Sequence, residues 1–357
     1  MPFIDDRDGR FMKSLKVWSL FLGSGVFLLL FFFIYPFGTE GNGVAMALAV
    51  PPDTTVVDSI PRGPGADSSQ VQDSIQKQLV TDSMVVDSLT VDSIVTSPID
   101  TLPVYELNRV VPNNAFRVGE RLHFKVRYGF IKAGNAVMAV EDTVRINDQY
   151  SAYHIVSTVR STKTFDVFYK VRDSVETFVD TRGIFSWIYN KQLREGGYKL
   201  DLFVNYDQEH GIANVQKVRY YNEEPLRVKT NEHFQLTIPP YTLDVLAAFY
   251  YVRTQELRVG EPVYMVNHDN KKVYNLQVII QRKERIKVAA GKFNCIVVSP
   301  RLKGEAIFKQ KGELWIWLTD DQYKIPVQMK SKVVVGSITT ELEKIEGVPL
   351  PLPSQIK

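Results

Sequence analysis

The stretch "RLHFKVRYG" (residues 121–129) sets Leu122, Phe124, Val126 and Tyr128 against His123, Lys125 and Arg127 in unbroken alternation. A period of two sends the first set to one face of a strand and the second to the other, so this is a half-buried strand. The same alternation recurs in "AVMAVEDTV" (136–144), "YHIVSTVRS" (153–161), "VFYKVRDSVETFVD" (167–180), "IFSWIYNKQL" (184–193), "YKLDLFVNY" (198–206) and "IANVQKVRYY" (212–221). It returns in "VYNLQVIIQRKERIKV" (273–288), "FNCIVVSP" (293–300), "ELWIWLT" (313–319) and "PVQMKSKVVVG" (326–336). About a dozen strands with short polar connections and no alternating helices predict a mainly β fold, either a curved antiparallel sheet or an incomplete β-barrel.

One segment breaks the pattern. "YTLDVLAAFYYVRTQ" (241–255) follows the Pro239-Pro240 breaker, offers Thr242 as N-cap and places Asp244 in the first turn. Its residues are apolar almost all round, which predicts one buried helix packed in the concave side of the sheet.

Upstream the composition changes twice. From Val17 to Phe37, "VWSLFLGSGVFLLLFFFIYPF" carries no charge, and about 20 helical residues span the ~30 Å hydrocarbon layer. Arg7, Arg10, Lys13 and Lys16 precede it, and no basic residue follows until Arg62. The positive-inside rule therefore puts residues 1–16 in the cytoplasm, makes 17–37 an inner-membrane anchor and exports everything beyond. The alternative is a signal peptide cleaved near Ala47 or Ala49 in "AMALA", which secretes the domain to the periplasm; the apolar run is longer than the usual signal core.

Residues 38–107 repeat Asp-Ser-apolar units, finally at a spacing of five in "VTDSMVVDSLTVDSI" (80–94). Five matches neither the helical nor the strand period, so no continuous apolar face forms and the segment reads as a disordered acidic tether. It holds ten acids against two bases, whereas residues 108–357 hold 27 acids against 37 bases, giving about −8 and +10. A basic exported domain at 108–357 hangs on an acidic arm. Export argues against nucleic acid; an anionic lipid or glycan, or an envelope protein, is the fitting partner.

Five stretches in order resemble a family of bacterial envelope proteins catalogued as domain of unknown function 3108. They are "VGERLHFKVRYGFIKAGNAVM", "VFYKVRDSVETFVDTRGIFSW", "YTLDVLAAFYYVRTQELRVGEPV", "AAGKFNCIVVSPRLKG" and "LWIWLTDDQYKIPVQMKSKVVVGSITTEL", and cover most of residues 116–346. The resemblance implies an exported, mainly β domain and supplies no catalytic residue.

Chemistry-bearing signatures are sparse. The sequence has no Gly-x-Ser-x-Gly elbow, His-Glu-x-x-His helix or phosphate-cradling glycine loop. The single cysteine, Cys295, excludes an intramolecular disulfide and a multi-thiolate zinc site. His123, His154, His210, His233 and His268 stand alone, so neither a metal site nor a cofactor is expected.

Five residues are candidate ligand contacts. Trp315 and Trp317 share one face of "ELWIWLT", and Trp187 sits in an aromatic row with Phe185 and Tyr189; such faces either pack in a core or wall a groove for an apolar or glycan ligand. Asp173 alternates with Val171 and Val175, which predicts a buried carboxylate beside a base such as Arg172 or Arg194. The resulting expectation is a non-enzymatic envelope module that binds a lipid-like or glycan ligand or assists assembly. A ligand-free protein adaptor and an unrecognised hydrolase of envelope polymers are the alternatives.

Overall fold

A computed structural model describes residues 104–302, 314–332 and 336–357. The cytoplasmic tail expected at 1–16, the anchor or signal segment expected at 17–37 and all but the last four residues of the tether expected at 38–107 lie outside the described residues. Among the described residues, no helix is long and apolar enough to cross a membrane.

The chain forms one large open antiparallel sheet. Its first meander comprises β1 (Arg121–Tyr128), β2 (Ile131–Arg145), β3 (Ser151–Ser161), β4 (Arg172–Asp180), β5 (Ser186–Glu195), β6 (Tyr198–Asp207), β7 (Ile212–Tyr220) and β8 (Val228–Thr237). The second comprises β9 (Val263–Asp269), β10 (Lys272–Val288), β11 (Gly291–Leu302), β12 (Leu314–Thr319), β13 (Pro326–Lys332) and β14 (Ser337–Glu346), and short β15 (Gln355–Ile356) pairs with β11. Pairing of β1 with β14 sews the meanders into the order β8 to β1, then β14 to β9. Register shifts at His123/Phe124, Val126/Arg127 and Ile280/Arg282 mark irregularities that sharpen local twist and bend the sheet.

Alternation makes these strands because each buries one row of side chains. In β1, Leu122, Phe124 and Val126 are buried, as the opening stretch predicts; burying each such side chain contributes about 1.5–3 kcal/mol. A Cβ on Gly134 of β2 would lie 2.5 Å from Arg160 O on β3, so glycine lets these two backbones approach.

Among the described residues, two short helices interrupt the strands: α1 (Lys163–Asp166) and α2 (Val245–Thr254). The stretch 167–180 is not one strand. α1 and a turn precede β4, and Val167 and Phe168 project from that turn rather than lining a sheet face. The N-cap of α2 is Asp244, not Thr242: Asp244 accepts from the Leu246 and Ala247 backbone N–H groups, while Thr242 Oγ1 donates to Pro239 O at 2.6 Å. Val245, Leu246, Ala247, Ala248, Tyr250 and Val252 are buried on this helix.

The far end of α2 is fixed by a buried ion pair. Arg253 donates to both carboxylate oxygens of Glu120 at 2.7 and 2.8 Å, and also to Ala115 O and Tyr323 O. Every charged group there has a partner, which a buried charge requires.

Candidate functional site: the polar interior of the sheet

The described domain starts at a strap, not at a strand. Tyr105 N donates to Glu209 O at 2.7 Å and Val111 N to Arg182 O at 2.8 Å. Between them Arg109 donates to Gly183 O and Ile184 O at 2.9 and 3.0 Å, and its guanidinium lies 4.3 Å from the centre of the Tyr241 ring and 5.4 Å from that of Tyr251. The chain's own cation fills this aromatic cradle.

Below the strap, alternation along β5 turns Trp187, Tyr189, Lys191, Leu193 and Glu195 to the buried side. The first polar cluster surrounds the start of α2. Thr177 Oγ1 and Ser186 Oγ donate to Asp244 Oδ2 at 2.5 and 2.6 Å, and Gln208 donates to Ser186 O and Thr242 O at 2.7 and 2.8 Å. Burial pushes the Asp244 carboxyl up to about 6, against these donors, which favour its charged form.

A second cluster ties β5 and β6 to edge strand β9. Lys191 Nζ, fully buried, meets Asp269 Oδ1 at 2.9 Å. Tyr206 OH lies 2.9 Å from His268 Nδ1, and His268 Nε2 lies 2.7 Å from Asn270 O. A carbonyl only accepts, so Nε2 carries the proton and Nδ1 accepts from Tyr206. Burial lowers the His268 pKa, in keeping with this neutral ring. The free edge of β9 is covered as well: Leu243 N donates to Val266 O and His268 N to Leu243 O.

The third cluster is the carboxyl pair Asp173 and Glu195. Asp173 Oδ1 accepts from Arg194 N at 2.9 Å. Arg172 is not its partner, because that guanidinium forks onto Asp166 at 2.6 and 3.1 Å and also reaches Ser161 Oγ at 2.9 Å. Burial raises Asp173 to about 6, and burial followed by the neighbouring Asp173 charge holds Glu195 well above the usual carboxyl range. Burial and the Asp173 charge thus both disfavour the ionised form of Glu195. Sequence reasoning found Asp173 but missed Glu195, whose signal was its place in the buried register of β5.

The tryptophans fall into two settings. Trp187 is buried between Phe185 and Tyr150, with ring centres 5.1 and 4.8 Å away, and its Nε1 donates to Asp180 Oδ2 at 3.2 Å. Trp317 is buried and donates to Glu284 Oε1 at 2.6 Å, while Trp315 is half-buried beside it on β12. A shallow recess of about 570 Å³ is lined by Asn113, Asn114, Phe116, Arg117, Tyr153 and Gln322, and includes none of these tryptophans. Among the described residues, no group of three or more His, Cys, Asp or Glu side chains could hold a metal ion.

These arrangements lock strands together; none presents an open nucleophile beside a base. The match to the family described as "Protein of unknown function (DUF3108)" spans residues 123–343, and the chain belongs to that family. No curated protein matches the chain. Among solved structures, a β-barrel-like protein of domain of unknown function DUF1849 from Brucella abortus is similar at 10% identity and TM-score 0.41, over 67% of this chain and 98% of that one. A Bacteroides fragilis protein with a YmcC-like fold is similar at 11% identity and TM-score 0.23, over 66% of this chain and 98% of that one. At these values neither lends a ligand or a role to this chain.

Proposed function

We propose that this chain is a non-enzymatic module of the cell envelope. Its β domain is exported, held on the acidic tether by an inner-membrane anchor at 17–37, and acts through its surface on a lipid-like or glycan partner or in envelope assembly. The sheet curves around α2 as an incomplete barrel. The observation that carries the reading is the engagement of the interior polar groups with one another: Asp244 with Thr177 and Ser186, Lys191 with Asp269, Arg253 with Glu120. Chemistry that holds a fold shut is not free to turn over a substrate.

The test is rescue of a deletion strain challenged with detergents. Asp173→Asn, Glu195→Gln and Asp244→Asn should shift thermal melting yet rescue growth as the unaltered chain does. A variant with unshifted melting and no rescue would make that acid reactive and favour the hydrolase alternative.

A protein adaptor is the second reading, supported by β8. This strand pairs with β7, and its Val228, Lys229, Thr230, Asn231 and His233 are exposed, leaving a polar edge open to strand addition. Crosslinking in native membranes that recovers one stoichiometric protein would favour it.

A further inference from the structure

Two neighbouring loops at one end of the sheet expose apolar side chains that a water-facing loop would not keep. Phe130 is 93% exposed, Val167 82%, Phe168 64% and Ile131 56%. The loops are held side by side: Thr162 N donates to Ala133 O at 2.9 Å, and Gly134 pairs with Ser161. Their shape is locked from beneath. Thr162 caps α1, Phe165 is buried, and Phe168 N and Tyr169 N both donate to Phe165 O at 2.9 Å. With Phe165 turned inward, Val167 and Phe168 are thrust outward.

The fringe of these loops is basic. Lys132, Arg160, Lys163 and Lys170 are exposed, whereas the loop carboxylate Asp166 is engaged by Arg172 at 2.6 Å. Protein interfaces are depleted in lysine, but lysines beside exposed aromatics suit a bilayer: the rings enter the acyl boundary while the ammonium groups stay among phosphates.

The placement fits as well. The chain enters at Tyr105 against Glu209, beyond the C-terminal end of β6, whereas Gly196 N, before the start of β6, donates to Lys170 O at 2.8 Å beside the apolar loops. The ten residues of β6 separate the two ends, about 30 Å at ~3.3 Å per residue. The apolar loops therefore lie at the opposite end of β6 from the strap at Tyr105.

We infer that the loops carrying Phe130, Ile131, Val167 and Phe168, with Lys132, Arg160, Lys163 and Lys170 around them, form a docking tip for an anionic phospholipid bilayer. This deepens the surface-binding reading and rests on it for where in the cell the bilayer is met; the vesicle test does not depend on export.

The test uses the full chain carrying Phe130→Cys, labelled with a nitrobenzoxadiazole probe and reconstituted into vesicles. The native Cys295 is buried and stays unlabelled. With equal parts phosphatidylcholine and phosphatidylglycerol, the emission should rise and move to the blue; with phosphatidylcholine alone it should not. Lys163→Glu with Lys170→Glu should weaken the response by at least about fivefold per residue, and 1 M salt, with a Debye length of about 3 Å, should reverse much of it. The same probe on Arg182→Cys, in the β4–β5 turn, should not respond. Equal responses at 130 and 182, or no preference for the anionic vesicles, would overturn the inference. The envelope reading would survive that result, since it falls by the rescue assay instead.

Discussion

Replacing Glu195 with Gln should remove a pH dependence from the stability of the domain. Glu195 is fully buried, and its carboxyl is held far above the ordinary value of 4.5 first by burial and then by Asp173. Above pH 4.5 the unfolded chain loses this proton while the native state keeps it. The contribution of such a raised group is present in full below the unfolded value and is lost as pH rises toward the folded one, at about 1.4 kcal/mol per pH unit. A glutamine amide fills nearly the same space but does not titrate. The variant should therefore lose less stability than the unaltered domain as the pH rises from 5 to 7. Urea unfolding of residues 104–357 at half-unit pH steps measures the two slopes. Parallel curves would refute the raised Glu195 carboxyl.

Three other perturbations follow from packing. Arg253→Met leaves Glu120 buried without its guanidinium and should cost about 3–5 kcal/mol, read as a drop in the urea midpoint. Gly347→Ala should destabilise by about 1–3 kcal/mol or more, because φ is +72° and the new Cβ would fall 1.9 Å from Gly119 O; thermal melting checks it. Burial pushes the Cys295 thiol up to about 12, so a thiol reagent at pH 8 should leave the native protein unmodified and react once urea unfolds it.

Alternation made the sheet legible because half-burial imposes a period of two on every strand with one wet face. It failed in informative places. "VFYKVRDSVETFVD" alternates from Val167 onward, yet α1 and the turn locked beneath by Phe165 take the first residues away from the sheet. β8, "VKTNEHFQLT", escaped notice because an exposed edge strand needs no apolar row, and β9 because its His268 and Asn267 are buried polar residues with partners distant in sequence. Thr242 and Asp244 both suit an N-cap. Only the fold shows that Thr242 turns back to Pro239 while Asp244 receives Leu246 and Ala247. The interior pairs Arg253 with Glu120 and Lys191 with Asp269 join residues 133 and 78 positions apart, which no local pattern announces.

Export underlies the whole functional account, and a pair of reporter fusions after Lys357 tests it most directly. The account expects activity from a phosphatase that matures only outside the cytoplasm and none from a β-galactosidase fused at the same point. An inactive phosphatase with an active β-galactosidase would place the domain in the cytoplasm and contradict the envelope reading.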